Sequence, residues 1–331
     1  MIRHAGGAIA TLLLIFSLNT AANGFPAPDT LVAYGPYDSP LGSFELYQPT
    51  DYPADAATYL QGLTSDVSLA IISRFGPVGA SPFQLVIVKS REQLDEWVGG
   101  PLPDWIHAVA MEHPPRVVIL GPSKNVSEPT GYHFEQALLH ELTHVYLYRL
   151  KPGIEGDPLP GWFHEGLAVH VSGGFDRGMH RALIRGRLTG KFYTLGELER
   201  IYHTSSVLSE LAYAQSVLAA QALEEFYGSE VFRSLFDEIR KKQSFQTAFA
   251  LAAGENLEQF QARYQAHMYQ RYNLLLVLAD PSVLFILLPA LVLLAYLLRT
   301  WRNRTIRARW AAEGIDPKTM LKEATPPYDH E

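Results

Sequence analysis

The chain contains no cysteine, which excludes disulfide bonds and thiolate metal ligands. Its fold must therefore rest on an apolar core, and apolar residues make up 47% of the sequence. Positive charge is in deficit, because 27 Lys and Arg residues face 34 Asp and Glu residues, and this balance argues against a nucleic-acid partner. The sequence has neither an internal repeat nor a Ser/Gly-rich linker. Roughly 250 residues lie between its two apolar ends, enough for one large or two small domains.

The most informative motif is an H-E-x-x-H pentapeptide at 140–144, within an apolar stretch that predicts a helix. Residues four apart on a helix lie on the same face, so the imidazoles of His140 and His144 can reach one metal ion. Glu141 then lies beside the metal, where it can take a proton from a water molecule that the metal activates. The motif predicts two metal ligands and a general base.

A second motif, W-F-H-E-G-L-A, follows at 162–168. Pro160 suits the first position of a helix and Gly173-Gly174 suits its end, so we expect Glu165 on a short helix. A catalytic zinc ion takes three protein ligands and keeps one position open for water. Glu165 would complete a set of two imidazoles and one carboxylate.

Together the two motifs resemble the gluzincins, and the region is similar to the thermolysin-like peptidase MA domains. The resemblance covers about residues 42–270. It implies hydrolysis of peptide bonds in a peptide or protein substrate, with one zinc ion per chain. The residues carried over by the resemblance are the ligands and the base: His140, His144, Glu165 and Glu141.

Other ligand sets compete with this one. The metzincin pattern is excluded, because Leu147 and Leu150 occupy the positions where it needs Gly and His. His164 and His170 flank Glu165 and are alternative third ligands. A further alternative is a helix whose histidines only pack or form hydrogen bonds.

A second electrophile is expected near the zinc, because the tetrahedral intermediate of peptide hydrolysis carries an oxyanion that needs stabilisation. Gluzincins often use a Tyr or His from a downstream helix. The resemblance makes Tyr213, within A-Y-A-Q-S at 212–216, the candidate. The alternative is that Tyr213 is one core tyrosine among the 17 tyrosines of the chain.

The segment V-A-M-E-H at 109–113 faintly resembles the G-x-M-E-N element of gluzincin aminopeptidases. That resemblance implies an aminopeptidase in which Glu112 binds the free amino terminus of the substrate, although the Gly and the Asn are absent here. The alternative is an edge strand that aligns an extended substrate by β-pairing.

The order of predicted elements indicates an α+β fold. Four short strands are predicted early in the chain, and helices dominate after Glu165. The strands are at 44–47, 83–88, 109–111 and 117–120. We expect a zincin-like catalytic domain at residues 30–272, with a small twisted sheet over the H-E-x-x-H helix and then an all-helical lobe. A capping box of Thr194 and Glu197 predicts one helix start in that lobe.

The two ends of the chain predict export and membrane anchoring. Residues 1–22 are typical of a signal peptide, with an uncleaved anchor as the alternative. Residues 281–298 carry no charge and are long enough for a transmembrane helix, and the basic tail at 299–331 predicts a cytoplasmic C-terminus. Five arginines are expected to contact anionic lipid headgroups. They are Arg299, Arg302, Arg304, Arg307 and Arg309.

The sequence therefore predicts a membrane-anchored zinc metallopeptidase whose catalytic domain lies outside the cytoplasm, in the periplasm or the extracellular space. The contrasting prediction is a non-catalytic zinc-binding or protein-binding module on a zincin fold. The intact metal-ligand and base residues favour the enzyme, because a decayed site usually loses at least one of them.

Overall fold

The computed structural model describes residues 31–53, 55–103, 106–121, 131–150, 159–202, 206–273 and 281–314. The chain divides into two compact units, Met1–Tyr272 and Asn273–Glu331. The predicted signal peptide at 1–22 lies outside the described residues, as does the part of the predicted tail that follows residue 314.

The first unit contains a five-stranded mixed sheet in the order β1-β2-β3-β5-β4. Its strands are β1 (Leu31–Tyr37), β2 (Phe44–Pro49), β3 (Phe83–Val88), β4 (Ala108–Met111) and β5 (Arg116–Leu120). The central strands β2, β3 and β5 are parallel, and the edge strands β1 and β4 run antiparallel to their neighbours. The four predicted strands are confirmed as β2 to β5, whereas β1 was not predicted.

Helices make up most of the rest of the described first unit. They are α1 (Ala56–Phe75), α2 (Arg91–Val98), α3 (Gly131–Leu150), α4 (Gly161–Ser172), α5 (Arg177–Thr189), α6 (Leu195–Ile201), α7 (Ser206–Tyr227), α8 (Val231–Arg240), α9 (Phe245–Ala253) and α10 (Leu257–Arg271). The capping box is confirmed, because Thr194 Oγ1 accepts from the backbone of Glu197 and the Glu197 carboxylate accepts from the backbone of Thr194. The α+β class is confirmed.

The sheet lies between α2 on one face and α3 on the other. On one face, Val86 and Val118 form a buried cluster with Leu94 and Trp97 of α2. Val109 of β4 belongs to the same cluster, and side chains alternate between the two faces of a strand. The neighbours of Val109 in β4 therefore face the other side, where α3 contacts β4 and β5. This packing brings the helix with the first metal motif against the edge of the sheet.

The second unit contains α11 (Pro281–Ala312), with Pro289 in its interior. Across the described part of the chain, we find no helix whose length and apolar character would let it cross a membrane. The predicted single-pass membrane protein, with its catalytic domain outside, is therefore wrong.

The predicted lipid contacts depended on that membrane span. The five arginines instead continue α11 beyond its apolar stretch, since the helix runs without a break to Ala312. The proposal that they contact lipid headgroups therefore has no support in the described structure.

Candidate metal centre

The H-E-x-x-H motif lies on the buried face of α3. The Nε2 atoms of His140 and His144 are 3.1 Å apart, and both side chains are buried. Their rings are 4.9 Å apart between centroids and inclined by 75°. The spacing of four residues therefore brings two imidazole nitrogens to one point.

Glu165 reaches the same point from α4. Its Oε2 atom lies 3.7 Å from His140 Nε2 and 3.8 Å from His144 Nε2. A tetrahedral zinc ion with bonds of about 2.0–2.2 Å would separate its ligand atoms by roughly 3.3–3.6 Å. The two imidazoles and the carboxylate therefore fit a zinc ion in chemistry and in spacing. These three are the one group of described residues whose ligand atoms converge in this way, all within 4.8 Å of one another.

Burial keeps the imidazoles in the form that binds metal. Burial lowers the pKa of His140 to about 3. Burial also lowers the pKa of His144, and the neighbouring His140 and His164 lower it further. Metal ligation requires a neutral imidazole, and these lowered pKa values keep both histidines in that form at neutral pH.

A glycine explains how α4 comes so close to α7. A Cβ atom at Gly166 would lie 2.6 Å from the backbone carbonyl carbon of Ser216 in α7, and closer still to the carbonyl oxygen. Only glycine allows this approach of the two backbones. Because Gly166 follows Glu165 directly, this contact also fixes how far the third ligand lies from α7.

The first turn of α4 is held by an acidic residue from α6. Glu199 Oε1 accepts a hydrogen bond of 3.1 Å from the backbone N–H of Trp162, which satisfies one of the donors that a helix start leaves unpaired. Burial raises the pKa of Glu199, and its backbone hydrogen bonds act in the opposite direction. Glu199 therefore acts as an N-terminal cap for the ligand helix.

Neither alternative third ligand joins this group. The ring of His164 stacks on His144, with 5.8 Å between centroids and an angle of 17°, and its burial lowers its pKa to about 4. His170 Nε2 is 2.7 Å from Glu224 Oε2 of α7. Neither histidine belongs to the converging group of described residues.

Tyr213 lies on α7 close to this group. The residue is buried, and its pKa is raised by burial, by the nearby charge of Glu165, and to a smaller extent by Glu141. The Tyr202 ring packs edge-on against the Tyr213 ring at 5.2 Å, and the Tyr202 hydroxyl forms a short hydrogen bond with Ser216. The predicted electrophile is therefore a protonated phenol near the two carboxylates.

Glu112 lies in the turn that follows β4 and is exposed. Its Oε2 atom is 3.9 Å from Nδ1 of the neighbouring His113. Between the metal group and this turn lies Tyr148, whose pKa is raised by burial and by the charges of Glu165, Glu141 and Glu112. Sequence reasoning missed Tyr148, although its position one turn after His144 was a usable signal.

Comparison with known proteins identifies the family of this chain. The family model of the Peptidase MA superfamily matches residues 68–270. The uncharacterized protein YhcO of Bacillus subtilis (strain 168) is 25% identical over 143 residues, which are 42% of this chain and 42% of that protein.

Two solved structures are similar at lower identity. The M1 zinc metallopeptidase from Deinococcus radiodurans is 18% identical with a TM-score of 0.43, over 71% of this chain and 51% of that one. An aminopeptidase N family protein from Idiomarina loihiensis is 12% identical with a TM-score of 0.43, over 71% of this chain and 46% of that one. The chain thus spans about half or less of the length of these relatives. Because the family model matches more than half of the chain, the chain belongs to the Peptidase MA superfamily.

Proposed function

We propose that this chain is a zinc-dependent metallopeptidase that hydrolyses peptide bonds. The observation that carries the proposal is the buried group of His140, His144 and Glu165, whose ligand atoms all lie within 4.8 Å of one another. Glu141 directly follows the first ligand on α3 and is fully buried. A base beside such a group is what water activation needs.

The proposed role of each residue follows from the chemistry of its side chain. His140, His144 and Glu165 would hold the zinc ion. When bound, zinc polarises the scissile carbonyl and lowers the pKa of a water molecule. Glu141 accepts the proton of this water as its oxygen attacks the carbonyl carbon, and then delivers the proton to the leaving amine as the C–N bond breaks.

Tyr213 is proposed as the second electrophile. Its raised pKa keeps the phenol protonated at neutral pH, so its hydroxyl can donate a hydrogen bond to the oxyanion of the tetrahedral intermediate. The edge-on contact with Tyr202 supports one orientation of the ring. The phenol adds no negative charge to a site that already contains two carboxylates.

The test uses the purified full-length chain with zinc and a mixed peptide library, with the products identified by mass spectrometry. We expect cleavage by the wild type and its loss in Glu141→Gln. Glu135→Gln is the matched control, because Glu135 lies exposed on the same helix and the chemical change is identical. Cleavage that persists in Glu141→Gln, or a zinc-loaded wild type that cleaves nothing, would contradict the proposal and favour a binding module.

The cut positions also decide how the substrate is held. Release of single amino-terminal residues, lost when the amino terminus is acetylated, would support an aminopeptidase role for Glu112. Cleavage within blocked peptides would support an endopeptidase in which the edge of the sheet aligns the substrate.

A further inference from the structure

The pairing of β4 with β5 determines which backbone groups of β4 point towards the open edge of the sheet, next to the metal group. The backbone N–H of Leu120 donates to His107 O at 2.8 Å, so these two residues form a hydrogen-bonded antiparallel pair. Hydrogen-bonded and non-hydrogen-bonded pairs alternate along such a ladder. In the register Ala108↔Ile119 and Ala110↔Val117, both alanines are therefore non-hydrogen-bonded. Their N–H and C=O groups point away from β5.

β4 is the last strand of the sheet in the described part of the chain. The backbone groups of Ala108 and Ala110 are thus the positions at which an extended peptide could pair with this edge. The two positions are about 7 Å apart, since a strand rises about 3.4 Å per residue. They form a short pairing surface beside α3.

The carbonyl of Ala110 already accepts a hydrogen bond from within the chain. The Tyr148 hydroxyl donates a hydrogen bond of 3.4 Å to Ala110 O. Its ring packs against two imidazoles, with its centroid 6.4 Å from that of His144 and 5.5 Å from that of His164. Unlike those two buried histidines, Tyr148 is only half-buried. It therefore lies between a metal ligand and the open edge, within reach of an arriving substrate.

We propose that Tyr148 is a specificity-determining residue that occupies the Ala110 carbonyl and so shortens the edge of β4 available to a peptide substrate. The inference rests on the proposed function, because it concerns how a peptide lies at the metal group. In the wild type, the tyrosine hydroxyl takes one of the two lone pairs of the Ala110 carbonyl, so a substrate amide must share this acceptor with it. Main-chain pairing is then strongest at Ala108 and at the N–H of Ala110, which favours short stretches of substrate.

Removal of the hydroxyl alone is the informative change. Tyr148→Phe keeps the ring against His144 and His164 and leaves Ala110 O without the hydrogen bond from the tyrosine hydroxyl. A substrate amide can then take that acceptor. One added main-chain hydrogen bond corresponds to an affinity gain of about two- to twelve-fold.

The test measures binding rather than turnover. A fluorescently labelled octa-alanine peptide is titrated into full-length Glu141→Gln loaded with zinc, and into the same protein with Tyr148→Phe added. A series of peptides with a single N-methyl group at each amide is titrated in parallel. Tyr59→Phe in the same background is the matched control, because the hydroxyl of Tyr59 bonds only the exposed Glu135 among its described contacts. Zinc affinity is measured for every variant.

We expect Tyr148→Phe to tighten binding about two- to twelve-fold, with zinc affinity unchanged and with no gain in Tyr59→Phe. One N-methyl position should abolish the gain in Tyr148→Phe while having little effect in the parent protein. Four results would each overturn the proposal. They are equal peptide affinities of the two proteins, identical N-methyl profiles, absence of binding to either protein, and weaker binding by Tyr148→Phe. Cleavage by the wild type is measured separately, so failure of the peptidase assay is distinguishable from failure of this one.

Discussion

The contact between Gly166 and Ser216 provides the sharpest test of how the third ligand is positioned. In Gly166→Ala the new Cβ would lie 2.6 Å from the carbonyl carbon of Ser216, whereas carbon atoms pack comfortably at about 3.5–4.0 Å. Because the obstacle is backbone, it cannot rotate away. Helix α4 must therefore move away from α7 by roughly 1 Å, and Glu165 moves with it.

Two effects of known size follow. Overpacking of this kind costs about 1–3 kcal/mol of the free energy of unfolding, which corresponds to roughly 2–12 °C in melting temperature for a domain of this size. Metal sites tolerate deviations of only about 0.2 Å in ligand distance. A carboxylate displaced by several times that amount should lower zinc affinity by at least about tenfold.

The assay combines thermal unfolding of the zinc-free chain with competition for zinc against a chromophoric chelator. Gly62→Ala is the matched control. Gly62 is exposed within α1, and nothing lies within 4 Å of the position that its Cβ would take, so the substitution should raise stability by about 0.5–1 kcal/mol. If Gly166→Ala retained both the melting temperature and the zinc affinity of the wild type, the close approach of α4 to α7 would not position Glu165, and the reasoning would fail.

Three further predictions concern single residues. Glu199→Ala should lower the free energy of unfolding by about 1 kcal/mol, because the N–H of Trp162 loses its acceptor; a melting temperature equal to that of the wild type would show that this cap is not needed. Tyr213→Phe should lower kcat by about 100-fold or more with zinc affinity unchanged, and full turnover would reject its proposed role. The zinc-free chain should lose stability as the pH falls from 6.5 towards 4, since burial lowers the folded-state pKa of His164 to about 4 while the unfolded chain binds its proton near 6.5. That residue alone accounts for about 3 kcal/mol at pH 4, so denaturant titrations of His164→Gln should show a flatter pH profile, and an unchanged profile would contradict the assignment.

The residues that could be predicted from the sequence are those set by local geometry. The spacing of His140 and His144 on one helix requires no knowledge of the tertiary fold, and Glu165 followed from a second motif with its own helix signals. The capping box at Thr194 was predictable for the same reason. The two histidines, and the two residues of the capping box, lie within four positions of one another. Glu165 was identified because it is part of a recognisable motif.

The residues that could not be predicted depend on packing between distant segments. The position of Tyr148 one turn after His144 indicates that it lies near the metal group, but its hydrogen bond to Ala110 spans 38 positions of sequence, and Glu199 caps Trp162 across 37. No periodicity or composition relates such pairs, because their contacts exist only after α3, α4 and α6 have packed. Gly166 could be recognised as part of a motif, but the reason for the glycine is the backbone of α7.

The wrong prediction of a membrane span has a different origin. It rested on the absence of charge along residues 281–298 and on the arginines that follow. Both were read from the sequence alone, whereas no described helix is long and apolar enough to cross a membrane.

The most direct test of the central claim is a zinc titration of the metal-free, full-length chain while peptide cleavage is recorded. We predict that cleavage rises in proportion to added zinc and reaches its plateau at one ion per chain, and that Glu165→Gln shifts the titration to much weaker binding. Zinc bound at one ion per chain without cleavage, or cleavage that is equally fast in the metal-free protein, would contradict the claim that the His140, His144 and Glu165 group is a catalytic metal centre.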